Sequence, residues 1–172
     1  LLKKNRIRAK LIILGKKNED YIQNELVPIC RKFCLEMYSP KVYDVNQEGE
    51  EYKDSDIIFA GFVSEADKLE TLSKARALVF PSKREGWGIP ISEAAYVGTP
   101  SIVFNSEGLI DAVDNGNASF VCREKSAVGI YEQIKITLEN DELYKTMVKK
   151  AYFFSKKYLE VDINEIIGKI LK

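Results

Sequence analysis

The stretch Phe80-Pro-Ser-Lys-Arg-Glu-Gly-Trp-Gly-Ile-Pro-Ile-Ser-Glu-Ala-Ala-Tyr-Val-Gly-Thr-Pro100 decides how this chain is read. It opens where the apolar run Ala77-Leu-Val-Phe80 meets Pro81, the pattern of a buried parallel strand passing into a loop. Gly86 and Gly88 flank Trp87 in that loop. A helix is predicted from about Pro90, because the missing N–H of proline would be unpaired at a first helical position anyway. Ile91, Ala94, Ala95 and Gly98 give that helix a small, apolar face suited to close packing on a sheet. Strand, glycine turn and helix in this order aim backbone N–H groups and the positive helix end at one point, which favours phosphate or another anion.

Two glutamates bracket the turn: Glu85 precedes the glycines and Glu93 lies one turn inside the predicted helix. Carboxylates repel phosphate, but they accept paired hydrogen bonds from vicinal hydroxyls such as those of ribose or a hexose. Phosphate between two diol-binding carboxylates is the pattern of a nucleotide-sugar site. Taken one at a time, Glu93 also reads as a first-turn acid favoured by the helix dipole, and Glu85 as a solvated loop charge.

Glu85-Gly-Trp-Gly-Ile-Pro-Ile-Ser-Glu93, preceded by Pro81-Ser82 and followed by Gly98-Thr-Pro100, resembles the E-x-x-x-x-x-x-x-E signature of the retaining "group 1" glycosyltransferases of GT-B fold. Gly61-Phe62-Val63 before it, and Asn105-Ser-Glu-Gly108 and Asp111 after it, stand in the same order as in that family. The resemblance runs over roughly Leu11 to Cys122. It implies an α/β fold: a Rossmann-like parallel sheet of about six strands with helices on both faces, one half of a GT-B pair. Residues 1–172 would be a single donor-binding domain, truncated at its N-terminus, with the acceptor-binding domain elsewhere.

The implied reaction moves a sugar from a nucleoside diphosphate to an acceptor hydroxyl with retained anomeric configuration. By the same resemblance Glu93 would bind the ribose hydroxyls, and Glu85, the candidate catalytic residue, the hydroxyls of the donor sugar. Backbone N–H groups of Gly86, Trp87 and Gly88 would hold the sugar and, toward Ile89, the pyrophosphate. Phe62 and Val63 would lie beside the base. No metal and no cofactor is implied beyond the nucleoside-diphosphate sugar as substrate. The acceptor, a sugar or a lipid-linked one, would be met through the other domain. An arginine and a lysine that grip the diphosphate would come from upstream of Leu1; Lys83 and Arg84 read as surface charges instead. The isolated piece is therefore expected to bind nucleotide weakly and to turn nothing over. Two other readings remain: an epimerase-like enzyme of the same fold, or a non-catalytic Rossmann-like binding module.

Composition agrees with a folded α/β domain. Of 172 residues, 45% are hydrophobic and 30% charged, a globular balance large enough to bury a core. Basic and acidic residues number 26 each, so no overall field recruits nucleic acid. No apolar run approaches the length of a membrane span and no signal-peptide pattern opens the chain. A cytoplasmic protein is expected, with peripheral association at the inner face of a membrane left open. The chain starts Leu1-Leu2-Lys3 without methionine and reads as a piece of a longer protein. Cys30, Cys34 and Cys122 lack metal-ligand spacing; Cys30 and Cys34 share a helical face with Val27 and Met37 and are expected to be core thiols. With no histidine, the usual general base and commonest transition-metal ligand are missing.

Along the chain, Ala9–Leu14 is predicted as a buried strand ending at Gly15. A helix is predicted from Asn18 to about Met37, kinked near Pro28. Lys16 and Lys17 stand where the family often carries a further glycine, and read as a solvated pair. Lys41–Val45 is predicted as a short strand, and Asn46–Asp56 as a polar surface loop. Asp56–Val63 is the next strand, and Ser64-Glu-Ala-Asp67 reads as a capping box opening a helix. Ser101–Phe104 and Ser119–Cys122 are further strands, with a short helix and the turn Asp114–Asn117 between them. Helical segments follow Ser126 and Asn140, and an isoleucine-rich one covers Ile163–Leu171. Strands alternating with helices give a parallel sheet, with ligands beyond its carboxyl edge.

Overall fold

The computed structural model describes residues 1–46 and 49–159. Packing divides between Thr71 and Leu72 into two compact units, each with its own sheet. The first contains β1 (Leu11–Leu14), α1 (Glu19–Tyr21), a π turn (Ile22–Leu26), α2 (Val27–Phe33), β2 (Met37–Tyr38), α3 (Glu50–Asp54) and β3 (Ile57–Gly61). Then α4 (Glu65–Lys74) runs across the division. The second contains β4 (Leu78–Phe80), α5 (Ile89–Tyr96), β5 (Ser101–Phe104), α6 (Leu109–Ala112), β6 (Phe120–Cys122), α7 (Ala127–Glu139) and α8 (Asp141–Leu159).

The expected parallel α/β class holds, but the six strands of the described residues form two three-stranded sheets instead of one. Their orders are β1-β3-β2 and β4-β5-β6, parallel throughout. In the first unit Ile58, Ala60 and Tyr43 form the buried core, with Ile12, Leu14, Tyr38 and Val63 packed against them. Tyr43 thus belongs to the core but not to a strand. The short strand predicted at Lys41–Val45 does not form; Met37–Tyr38 pairs with β3 instead, in a register that sets Met37 against Ile57.

This pairing also ends the helix expected to reach Met37. α2 stops at Phe33, Cys34 turns left-handed at φ 51°, and the Leu35 N–H donates to the Cys30 carbonyl at 2.9 Å. That closure frees Glu36 to accept from the Asp56 and Ile57 N–H groups at 2.8 and 3.0 Å. Pro28 lies in the first turn of α2, directly after the π turn, where its missing N–H is least costly. Cys34 is consequently exposed, contrary to the core-thiol expectation, whereas Cys30 is buried. The polar stretch 46–56 carries α3 as well as loop.

In the second unit alternation on the strands builds two apolar faces. Leu78, Phe80, Val103 and Val121 meet Ile91 of α5 and Leu109 and Ala112 of α6. Val79, Ile102, Phe104, Phe120 and Cys122 meet Ile130 and Ile134 of α7 and Leu143, Tyr144 and Met147 of α8. The sheet is therefore covered on both sides, as its continuous apolar strands require. The predicted caps form: the Ser126 hydroxyl accepts from the Gly129 N–H at 3.1 Å, and Asn140 Oδ1 from the Leu143 N–H at 3.0 Å. The segment predicted as a helix over 163–171 lies outside the described residues. Among the described residues no helix is long and apolar enough to cross a membrane.

Candidate functional site

The carboxyl end of β4 leads into the loop 81–88 and then into α5. Gly88 precedes the helix in the left-handed region, φ 81° and ψ 65°. An added Cβ there would stand 3.0 Å from Ile91 Cδ1 and 3.1 Å from Leu109 Cδ2, so the turn is pressed onto the core of its unit. Gly86 differs: nothing lies within 4 Å of where its Cβ would be. α5 starts with no side-chain cap and with no acid in its first turn. Its positive end is therefore not offset by the chain's own carboxylates.

Buried Ile91, Ala94 and Ala95 define the inner face of α5. Ile89, 69% exposed, and Glu93, four residues on, fall on the outer face, because positions four apart lie nearly one above the other. Glu93 is half-buried and sits in the second turn, past the first-turn position that dipole stabilisation would explain. Glu85 and Gly86 are exposed. Trp87 turns its ring inward, against the cluster of Ile91, Val103 and Leu109. Its indole Nε1–H donates to the Ser92 hydroxyl at 2.8 Å. What the loop exposes is Glu85 and Gly86, while Gly88 is buried. Lys83 and Arg84 are exposed.

One residue that fixes this turn had been noted in the sequence without a role. A Cβ on Gly108 would stand 2.2 Å from the Glu85 carbonyl oxygen and 2.5 Å from that of Gly86, and Gly108 has φ 78°. The loop after β5 therefore backs the loop after β4 at main-chain contact. Buried Ser106 ties the same two loops by donating to the Ser82 carbonyl at 3.2 Å. A glycine between a strand and a short helix is the sequence signal, but only three-dimensional proximity shows what it touches.

Two hollows of the second unit lie away from this loop. One, of about 460 Å³, is lined by Asn105, Asn115, Gln133 and Met147 among others. The other, of about 450 Å³, lies between the turn at Asp114–Asn117 and α8. Among the described residues no grouping of Cys, Asp and Glu could hold a metal ion.

Phe62 and Val63 belong to the first unit, at the carboxyl end of β3. Phe62 is 90% exposed, while Val63 is half-buried against Tyr43, Ile58 and Ala60. Ser64 caps α4, its hydroxyl accepting from the Asp67 N–H at 3.1 Å. Lys17, expected to be solvated, instead lays its stem over Gly61 and donates to the Pro40 carbonyl at 2.7 Å.

Parallel strands ending in a glycine turn and an uncapped helix start define a Rossmann-like α/β protein. Comparison with known proteins narrows the class. Residues 40–153 match the model of the family described as glycosyl transferases group 1. The chain belongs to that family. It is 29% identical over 107 residues to the N,N'-diacetylbacillosaminyl-diphospho-undecaprenol alpha-1,3-N-acetylgalactosaminyltransferase of Campylobacter jejuni, covering 62% of this chain and 28% of that protein. It is 33% identical over 82 residues to the glycogen synthase of Mycobacterium tuberculosis, covering 48% of this chain and 20% of that one. The chain thus matches only a fifth to about a quarter of those relatives' length.

Among solved structures, the C-terminal domain of the group 1 family protein LpcC from Francisella tularensis superposes with a TM-score of 0.66 at 16% identity. That match covers 94% of this chain and 74% of the other. The starch synthase IV catalytic domain of Arabidopsis thaliana, bound to ADP and acarbose, superposes at 0.56 and 16% identity, over 92% and 32% of the two chains. The fold is that of the C-terminal half of a GT-B glycosyltransferase.

Proposed function

We propose that this chain is the donor-binding half of a retaining glycosyltransferase that moves a sugar from a nucleoside diphosphate to an acceptor hydroxyl. The observation that carries the reading is the start of α5: uncapped, without a first-turn acid, and approached by exposed main chain at Glu85–Gly86. In this reading the N–H groups from Gly86 to Ile89 face the sugar and the pyrophosphate. Glu93, outward on the second turn, takes the ribose hydroxyls, and Glu85 those of the donor sugar. Phe62 and Val63 contact the base. Charge growing on the departing diphosphate meets fixed dipoles that need no reorganisation, which is where such sites gain most of their rate. No metal enters this scheme. The acceptor is bound by a further domain, and the protein works in the cytoplasm, at the inner face of a membrane where the acceptor is lipid-linked. Family membership and the relatives' printed activities support transfer over epimerisation or a purely structural module.

Calorimetric titration of the 172-residue chain with UDP, GDP and ADP tests the proposal. Weak binding of one nucleotide is expected, lost in Glu93→Ala and in Gly86→Ala, with no turnover. Absence of binding to all three, or binding indifferent to Glu93→Ala, overturns it.

A further inference from the structure

The chain carries equal numbers of basic and acidic residues, yet α8 from Leu143 onward has Lys145, Lys149, Lys150, Lys156 and Lys157 and not one Asp or Glu. Lys145 is paired with Glu142 at 3.0 Å. Among the described residues no carboxylate pairs with the other four. Ala151 and Ser155 are buried and define the inner side of the helix. Phe153 stands on the outer side, 69% exposed. Helical spacing places Lys149 and Lys150 one turn before it, and Lys156 and Lys157 one turn after. A large exposed apolar ring thus stands among four ammonium groups that no described carboxylate neutralises.

The aromatic surface extends beyond Phe153. The Tyr152 ring meets it edge-on at 5.9 Å. Lys156 Nζ lies 5.4 Å from the Tyr152 ring centre and 5.3 Å from that of half-exposed Tyr96 on α5. Phe153, Lys150 and Lys157 also line the hollow of about 450 Å³, whose other wall carries Asp114 and Asn117. Asp114 is the acid facing this group, and it leaves two lysines against one carboxylate there.

We infer that this face of α8 docks on an anionic lipid bilayer, with Phe153 and its neighbouring tyrosines at the headgroup level and the four lysines on lipid phosphates. Aromatic rings with lysines around them on one helix face are the composition that settles at a membrane interface. Charge complementarity selects the anionic surface, each lysine near it adding about fivefold to partitioning. An acidic polypeptide would use the lysines but leave Phe153 without a partner. The inference deepens the membrane location proposed above and rests on it, but its vesicle test is separate from the nucleotide titration, since α8 and the Glu85–Glu93 segment share no residue.

Co-sedimentation of the 172-residue chain tests it, using vesicles of phosphatidylcholine alone and vesicles with about one-third phosphatidylglycerol. Binding is expected only to the second, weakening steeply with salt. Lys149→Glu with Lys150→Glu should lower partitioning at least tenfold, and Phe153→Ser roughly tenfold. Val128→Ser, an exposed apolar position on α7, should leave it unchanged. All four positions are exposed, so thermal melts should match the parent. Equal binding by Phe153→Ser, no vesicle binding, or capture by soluble polyglutamate in place of vesicles each overturns the assignment.

Discussion

At the carboxyl end of β3 the chain turns through Gly61 and enters α4 behind Ser64. At the carboxyl end of β4 it turns through Gly88 and enters α5 with no side chain across the helix start. Both glycines are left-handed, at φ 79° and 81°. The first helix start is occupied: the Ser64 hydroxyl accepts from the Asp67 N–H, and Glu65 and Asp67 place negative charge on the first turn. The second has no side chain across it: Pro90 brings no N–H, the Ile91 N–H donates to the Gly88 carbonyl at 2.8 Å, and the turn is held from behind by Leu109, Ile91 and Gly108. A capped start stabilises its own helix; an uncapped one leaves hydrogen-bonding capacity for something else. Two junctions of like sequence order thus differ in what they can bind, and the difference lies in one serine and in what packs behind the turn.

The sharpest way to break this comparison is Gly108→Ala. Its methyl would fall within 2.5 Å of two carbonyl oxygens at a positive φ, so a loss of about 2–5 kcal/mol is expected from overlap and strained φ together. Denaturant titration measures it, and Gly86→Ala, with open space around it, should stay within about 0.5 kcal/mol of the parent. If the two cost the same, the loop after β5 does not support the turn.

Gly88→Ala and Gly61→Ala compare the junctions directly. At Gly88 the new methyl meets packed Ile91 and Leu109, whereas at Gly61 it meets Lys17 Cε at 2.8 Å, on a flexible stem that can move aside. About 1–3 kcal/mol is expected at Gly88 and about 1 kcal/mol at Gly61. A reversed order in thermal melts would show that Lys17, not the core, is the rigid neighbour.

Ser64→Ala should cost about 1 kcal/mol through loss of the cap, read by denaturant titration, while Ser82→Ala in the other loop should cost less. The smallest effect concerns acid. The Lys3 ammonium, 2.7 Å away, and the Glu36 N–H at 2.9 Å hold the Asp56 carboxyl below its ordinary value. A depressed native value means the folded form binds the proton less readily than the unfolded one. Its stabilisation is therefore present above about pH 4 and lost as pH falls through the native value. Asp56→Asn should lower the melting temperature slightly at pH 7, and the gap to the parent should close as the pH falls through the depressed native value. A gap that persists in acid would place the effect elsewhere.

Several of these differences were legible before any coordinates. Ser64-x-x-Asp67 announces a cap, and Gly-Trp-Gly-Ile-Pro announces a turn into a helix, because hydroxyl spacing and missing side chains act over three or four residues. The family signature likewise reads along the chain. Cys34 was misread because helical periodicity continues through it, while the actual helix end is set by β2 pairing with β3 some twenty residues later. Lys17 was misread because the Pro40 carbonyl that takes its amine is remote in sequence. Trp87 sits in a loop by sequence, but the Ser92 hydroxyl and the Ile91–Leu109 cluster draw its ring inward.

By itself the sequence determined the α/β class, five of the six strands of the described residues and the capped helices, since each follows from local backbone preference and apolar period. Only the tertiary structure decided that the strands divide into two sheets, that Met37–Tyr38 takes the edge, and that Gly108 abuts the Glu85–Gly86 main chain. Those are outcomes of how segments distant in sequence fit together, and no property of a single stretch encodes them.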